Sequence, residues 1–84
     1  MAQELGSPRD SDLMGRIAVD ADVCGGRPRI SGTRIRVSDI LAMLSHGASI
    51  EAILADYEQL AGDDILAALA YAARTTEHRI IQAA

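Results

Sequence analysis

The sequence predicts a mainly α domain in which three helices follow a short N-terminal β-hairpin. From Ser38 onward, apolar residues recur at helical spacing in three segments joined by short connections. Before Ser38, the pair Ser31 and Gly32 separates two short extended stretches, as in a hairpin. The chain has 84 residues with no Phe or Trp, so its aliphatic core must be thin. We therefore expect one small domain that gains stability from a partner or a second copy.

The chain is predicted to divide into three segments. Residues 1–14 carry Gly6 and Pro8 and show no apolar period, which is typical of a flexible leader. Residues 15–74 hold the domain, beginning with the short extended stretch RIAV at residues 16–19. Residues 75–84 extend the third helix or form a tail, because Thr75 and Thr76 are a weak point where a helix frays or breaks.

Four arginines crowd the predicted hairpin, GGRPRISGTRIRV at residues 25–37. If Ser31 and Gly32 alone form the loop, opposed residues share a face, and all four guanidinium groups project from one side. Opposed like charges destabilise a sheet, so this face is a candidate site for an anion or for nucleic acid. The site residues are Arg27, Arg29, Arg34 and Arg36.

An alternative interpretation gives these arginines a structural role. They then pair with acids of the same chain or of a second subunit, for which Asp20, Asp22 and Asp39 are candidates. Under either interpretation we expect Arg34 to be the most structural of the four. Arg29 and Arg36 are expected to face outward.

Capping residues delimit the three helices. Ser38 and Ser49 are the predicted N-caps of the first and second helices, and Gly47 ends the first. The third helix is predicted to begin near Gly62 or Asp63. The second helix shows the clearest amphipathic spacing, through Ile50, Ile53, Leu54 and Tyr57.

Residues 20–73 resemble the DUF433 family of small bacterial proteins. The resemblance lies in GGRPRISGTRIRVSDIL, then HGASIEAILADY, then DDILAALAYAA. It implies a three-helix, homeodomain-like helix-turn-helix bundle behind the β element. It also implies a VapB-like antitoxin of a type II toxin–antitoxin pair, which forms a homodimer and binds and inhibits a PIN-like nuclease toxin. The chain departs from the family pattern at Glu58, where Pro is usual, and at Ala61, where a capping Thr is usual.

The C-terminal segment RTTEHRIIQAA is the candidate toxin-binding segment. An apolar pair near the end of a chain can dock in a partner's groove, and an arginine can compete for the carboxylates of a nuclease metal centre. The candidate residues are Arg74, Arg79, Ile80 and Ile81. The alternative is that the two isoleucines simply pack onto the N-terminal strand.

Operator DNA, if bound, is assigned to the hairpin rather than to the third helix. In a helix-turn-helix pair the second helix reads bases, but here it opens with Asp63 and Asp64 and has no cation before Arg74. Its leading carboxylates would repel phosphates, so we interpret them as partners of the helix dipole.

Other classes of function find little support in the sequence. GGRPRISG lacks the spacing of a phosphate-binding loop, and Cys24 with His46 and His78 cannot form a zinc site. We expect no enzyme activity, no cofactor, no metal and no membrane span, and a cytoplasmic location with Cys24 reduced. Two alternatives to the antitoxin stay open: a non-enzymatic dimeric adaptor or structural module without DNA binding, and a stand-alone small DNA-binding regulator.

Overall fold

The fold is seen in a computed structural model, which describes residues 10–83, with side chains for residues 12–76. Within residues 10–83 there are four α-helices and a two-stranded antiparallel sheet, and a 3-10 turn, Cys24–Gly26, precedes the second strand. In chain order the elements are α1 (Asp10–Met14), β1 (Ile17–Ala18), β2 (Arg29–Ile30), α2 (Val37–Ser45), α3 (Ile50–Asp56) and α4 (Gly62–Ala83). The mainly helical class with a small β element is confirmed, and the finer helix-turn-helix, homeodomain-like description stays a prediction.

The sheet pairs β2 with β1, and the predicted register of the hairpin is wrong. Ile17 lies opposite Ile30, so the partner strand comes from residues before the arginine-rich segment. Within that segment, Arg29 forms a bridge with Arg36, and the Ile30 N–H donates to the Ile35 carbonyl at 2.9 Å. The turn therefore spans four residues, 31–34, instead of the expected two.

Thr33 stabilises the longer turn. Its hydroxyl donates to the Ile30 carbonyl at 2.8 Å and accepts the Ile35 N–H at 3.0 Å. Gly32 adopts a φ of 81°, which residues with a side chain rarely adopt. Because the turn is longer by two residues, the alternation of faces is unchanged, and Ile30 and Ile35 lie opposite each other and are both buried.

Helix α2 begins two residues earlier than the predicted cap, Ser38, implies. Its N-cap is Arg36, and Ser38 lies inside the first turn. The Asp39 carboxylate accepts the Arg36 N–H at 3.0 Å, while the Val37 N–H donates to the Pro28 carbonyl at 3.0 Å. This second bond links the helix start to the hairpin, so the tertiary contact overrides the capping preference of serine.

The other predicted helix boundaries are confirmed. The Ser49 hydroxyl accepts the Ala52 N–H at 3.1 Å and caps α3. Gly47 follows α2 with a φ of 97°, the left-handed conformation expected after a helix end. Helix α4 begins at Gly62, as predicted.

Helix α4 runs through the expected weak point to Ala83, so the predicted break does not occur. The hydroxyls of Thr75 and Thr76 both donate to the Ala72 carbonyl, at 3.0 and 2.8 Å. These bonds satisfy the hydroxyls within the helix and let it continue. Residues 75–83 are therefore an extension of the third predicted helix.

A short helix replaces the end of the predicted leader. Helix α1 packs against α4, and its Leu13 is only 6% exposed. The five residues of α1 are too few to form a stable helix alone, so the burial of Leu13 holds them in place. Residues 1–9, the rest of the predicted leader, lie outside the described residues.

One aliphatic core joins the hairpin to α2, α3 and α4. Its side chains are largely removed from water, and Ala67 and Ala68 let α4 approach its neighbours closely. The core cluster consists of Ile30, Ile35, Val37, Ile40, Ile53, Leu60, Ile65 and Ala68. Among the helices described between residues 10 and 83, none is long and apolar enough to cross a membrane.

Candidate partner-binding surface

The four hairpin arginines do not form one free cationic face. Arg29 and Arg36 lie opposite each other, but each pairs with an acid of its own chain. The Arg29 Nη2 lies 3.0 Å from Asp20 Oδ2, and the Arg36 Nη2 lies 3.0 Å from Asp39 Oδ1. The expectation that Arg29 faces outward is wrong, because its side chain is largely buried. The Arg36 side chain is 39% exposed, but it too already has a carboxylate partner.

Arg29 is largely buried, with 12% of its side chain exposed. Its Nε and Nη1 atoms are shielded from solvent and have no hydrogen-bond partner among the described residues. A guanidinium in this position fills space beside the sheet and is not presented to a ligand. The hairpin periodicity alone could not reveal this burial, because Arg29 lies opposite Ala18 of β1 and contacts Asp20, which come from another part of the chain.

Arg36 and Asp39 form a local pair at the start of α2. The hydrogen bond from the Arg36 side chain is the main cause that holds the pKa of Asp39 below its usual value. The same bond raises the pKa of Arg36. Because the Asp39 carboxylate also accepts the Arg36 N–H, the pair serves to begin the helix.

Arg16 provides a third ion pair, which the sequence interpretation missed. Its Nη1 lies 2.9 Å from Asp64 Oδ1, and its Nη2 lies 3.6 Å from Asp63 Oδ2. The other oxygen of Asp64 accepts the Ala61 N–H at 2.8 Å. Asp64 thus caps α4 and joins it to the residue just before β1. The position of Asp64, three residues after Ala61, is the sequence signal for this cap.

Three arginines remain exposed and form no ion pair with another side chain among residues 12–76: Arg27, Arg34 and Arg74. The expectation that Arg34 is the most structural of the hairpin arginines is therefore wrong for its side chain. Its backbone carbonyl does have a structural contact, because it accepts a hydrogen bond from the Cys24 thiol at 3.3 Å.

Arg27 lies at a groove between α2 and α4, which we call the α2–α4 groove. The groove has a volume of about 290 Å³ and is mainly apolar. Its lining comes from the hairpin, the first turns of α2 and the second half of α4, and includes Arg27, Pro28, Ser38, Leu41, Tyr71 and Thr75.

Arg74 lies at a second groove, between α4 and the N-terminal segment, which we call the α1–α4 groove. Its volume is about 470 Å³, and its lining includes Met14, Ile17, Val19, Tyr71 and Arg74. Val19 is exposed despite its apolar side chain. Tyr71 borders both grooves. Helix α4 therefore has an apolar groove on each side of Tyr71, and each groove is lined by one arginine.

The predicted toxin-binding residues all lie on the second half of α4. Arg74 is exposed, whereas the side chains of Arg79, Ile80 and Ile81 lie outside the described ones. A further apolar stripe lies on the outer face of the helix, where Leu66 is 38% and Leu69 is 42% exposed. On the inner face of α4, Ile65 and Ala68 pack in the core.

The remaining reactive side chains have structural partners. His46 Nδ1 lies 2.7 Å from the Ala42 carbonyl, at the end of α2, where a histidine commonly contacts the last carbonyls of a helix. Cys24 is a free thiol. Within the described part of the chain, no three His, Cys, Asp or Glu side chains are grouped as metal ligands.

Comparison with known proteins identifies a family. Residues 17–72, two thirds of the 84-residue chain, match the family model described as a protein of unknown function (DUF433). The chain is also similar to a crystal structure of a DUF433 member protein from Anabaena variabilis, with a TM-score of 0.69 and 28% sequence identity. That match covers 96% of this chain and 90% of the other. A search of curated proteins finds no match. The resemblance carried by GGRPRISGTRIRV is thus confirmed, and the chain belongs to the DUF433 family.

Proposed function

We propose that the protein is a VapB-like antitoxin that binds a PIN-like nuclease toxin through the second half of α4 and inhibits it. Inhibition is steric and electrostatic, so the antitoxin itself catalyses no reaction. The sequence motifs resemble those of the family, and this resemblance implies the antitoxin function. The structure of α4 supports the proposal.

The observation that carries the proposal is the contrast within α4 between residues packed in the core and the exposed residues 73–76. The helix has 22 residues and so spans about 33 Å. Its first half contributes Ile65 and Ala68 to the core, whereas residues 73–76 are exposed. A long helix with exposed residues beyond its packed ones suits insertion into a partner's groove.

Arg74 supplies the chemistry for inhibition. Its guanidinium is exposed and forms no ion pair with another described side chain. A nuclease of the PIN-like class holds its metal ions with carboxylates, and a guanidinium forms strong, charge-assisted hydrogen bonds to carboxylates. Arg74 would therefore compete with the metal ions at the toxin's active site.

The proposed antitoxin is a homodimer whose contact is the outer stripe of α4. Leu66, Leu69 and Ala73 recur at helical spacing on this exposed face. A second copy of α4 would bury both leucines, and Ala73 would let the two helices approach closely. Burying such a stripe would add stability that so small a core lacks.

Toxin binding is better supported than operator binding. Arg29 and Arg36 are paired with acids of their own chain, so Arg27 and Arg34 are the exposed hairpin guanidiniums that form no ion pair with a described side chain. Two separated cations would bind DNA weakly, and the affinity would depend strongly on salt concentration. A mobility shift with the upstream promoter at two salt concentrations tests this directly. A shift lost on Arg34→Glu would restore operator binding to the proposal.

The candidate toxin is the protein encoded by the neighbouring reading frame. We expect expression of the neighbouring gene product to stop growth of the host, and co-expression of this protein to restore it. Arg74→Glu should reduce the rescue, because it places a carboxylate opposite the carboxylates of the toxin. Arg34→Glu makes the same charge change away from both grooves and is the matched control.

Three outcomes would contradict the proposal: a neighbouring product without effect on growth, growth that co-expression fails to restore, or equal rescue by the two variants. The second outcome would favour the adaptor or structural module. Equal amounts of soluble antitoxin, checked by immunoblot, are required for the comparison.

A further inference from the structure

We propose that the α2–α4 groove binds one apolar side chain of the partner together with an adjoining carboxylate. The inference rests on the proposed function for the partner's identity, since the occupant is an acidic segment of the toxin. The groove adds a second contact with the partner, and the family resemblance does not assign this contact. The groove and Arg74 lie on opposite sides of Tyr71.

The walls of the groove suit an apolar side chain. Leu41 and Tyr71 are both half-buried and line it from facing helices, α2 and α4. Thr75 and Thr76 add no free donor to the lining, because their hydroxyls donate to the Ala72 carbonyl. Removing an apolar group from water in such a groove is favourable in proportion to the area buried.

The size of the groove limits the occupant. Its volume of about 290 Å³ lies at the lower end of the ~300–1,000 Å³ range of small-molecule pockets. A single leucine or aromatic side chain fits this space, whereas a nucleotide cofactor is too large for it. We therefore infer that the groove binds a side chain of a protein partner.

Charge at the groove selects an acidic neighbour for that side chain. Arg27 is exposed at the groove and forms no ion pair with another described side chain. Ser38 is exposed beside it and adds a hydroxyl donor with no hydrogen bond to a described residue. A carboxylate placed between these two groups accepts from both, which gives specificity to an otherwise apolar contact.

The groove chemistry is tested without the toxin. The probe is 4-phenylbutyrate, which joins an apolar ring to a carboxylate, and the matched neutral probe is 4-phenylbutanol. Each is titrated into the ¹⁵N-labelled full chain and followed by amide chemical shifts. We expect shifts centred on Leu41, Tyr71 and Thr75, with the carboxylate bound about fivefold more tightly than the alcohol.

Arg27→Gln should remove the preference for the carboxylate, while Arg34→Gln should leave it unchanged. Shifts spread over the whole protein, or equal affinity of the two probes for the unaltered chain, would overturn the inference. An unchanged preference in Arg27→Gln would overturn it too. The amide spectra of the variants confirm that each is folded.

A second experiment tests the occupant with the purified product of the neighbouring gene. Ser38→Trp fills the mouth of the groove from an exposed position, and we expect it to weaken toxin binding at least about tenfold, with Arg27→Glu acting in the same direction. If the probe occupies the groove but both variants bind the toxin normally, the inference fails and the proposed function survives.

Two other outcomes are separable from these. If the neighbouring product does not bind at all while the probe result holds, the proposed function fails and the groove chemistry stands. If 4-phenylbutyrate dissociates a dimer of this protein, the occupant is a second copy and the assignment to the toxin is wrong.

Discussion

Asp64 is predicted to stabilise the fold far more than its neighbour Asp63, although both are aspartates in the first turn of α4. The Asp64 carboxylate is 8% exposed and makes two short contacts, to the Ala61 N–H at 2.8 Å and to Arg16 at 2.9 Å. The Asp63 carboxylate is 46% exposed and lies 3.6 Å from Arg16. The comparison isolates these contacts, because the two residues share their helix and their charge.

The expected difference is about 2 kcal/mol. Loss of a helix cap costs about 1 kcal/mol, and loss of the Asp64 contact to the partly exposed Arg16 costs about 1 kcal/mol more. Substitution to alanine changes the helix propensity and the dipole interaction similarly at both positions, so these effects cancel in the difference. For a domain of this size, about 2 kcal/mol corresponds to roughly 8–16 °C in Tm.

Urea unfolding of Asp63→Ala and Asp64→Ala, followed by far-UV circular dichroism, measures the difference. Asp64→Asn retains an acceptor for the Ala61 N–H and is expected between the two. Equal unfolding free energies for the two alanine variants, within about 0.5 kcal/mol, would refute the role assigned to Asp64.

Four further predictions follow from the same contacts. Ile53→Ala should lower the unfolding free energy by about 2–5 kcal/mol in urea titrations, because Ile53 is fully buried in the core. Gly47→Ala should cost about 1–2 kcal/mol in the same assay, because its φ is 97°. The hydrogen bond from Arg36 lowers the pKa of Asp39. The stabilisation by the Asp39 carboxylate is therefore complete above its unfolded-state pKa of about 4 and is lost as pH falls through its folded-state pKa. Asp39→Asn should reduce this loss of unfolding free energy at acid pH. Leu69→Ala should change stability of the monomer little but shift the mass measured by light scattering from dimer to monomer, since Leu69 is exposed on the outer stripe.

The helices could be predicted from the sequence because their signals are local. The spacing from Ile50 to Tyr57 places an apolar face toward the core, and Ser49 and Gly47 mark adjacent helix ends through their own backbone preferences. The start of α4 at Gly62 follows from the same kind of signal. These features depend on residues within one or two turns of each other.

The hairpin and the arginine roles could not be predicted because they depend on distant residues. The Thr33 hydroxyl stabilises the four-residue turn, and β2 pairs with β1, eleven or more residues away in sequence. Arg29 lies opposite Ala18 of β1 and pairs with Asp20, two residues further along the chain. Helix α1 escaped prediction for a related reason, since its five residues have no helical period long enough to recognise.

The central claim is that the second half of α4 binds the toxin through the guanidinium of Arg74. Its most direct test is the Kd for the purified neighbouring gene product, measured by calorimetry for the unaltered chain, Arg74→Glu and Arg34→Glu. We predict at least about tenfold weaker binding for Arg74→Glu and an unchanged Kd for Arg34→Glu. Equal Kd values for all three proteins would contradict the claim.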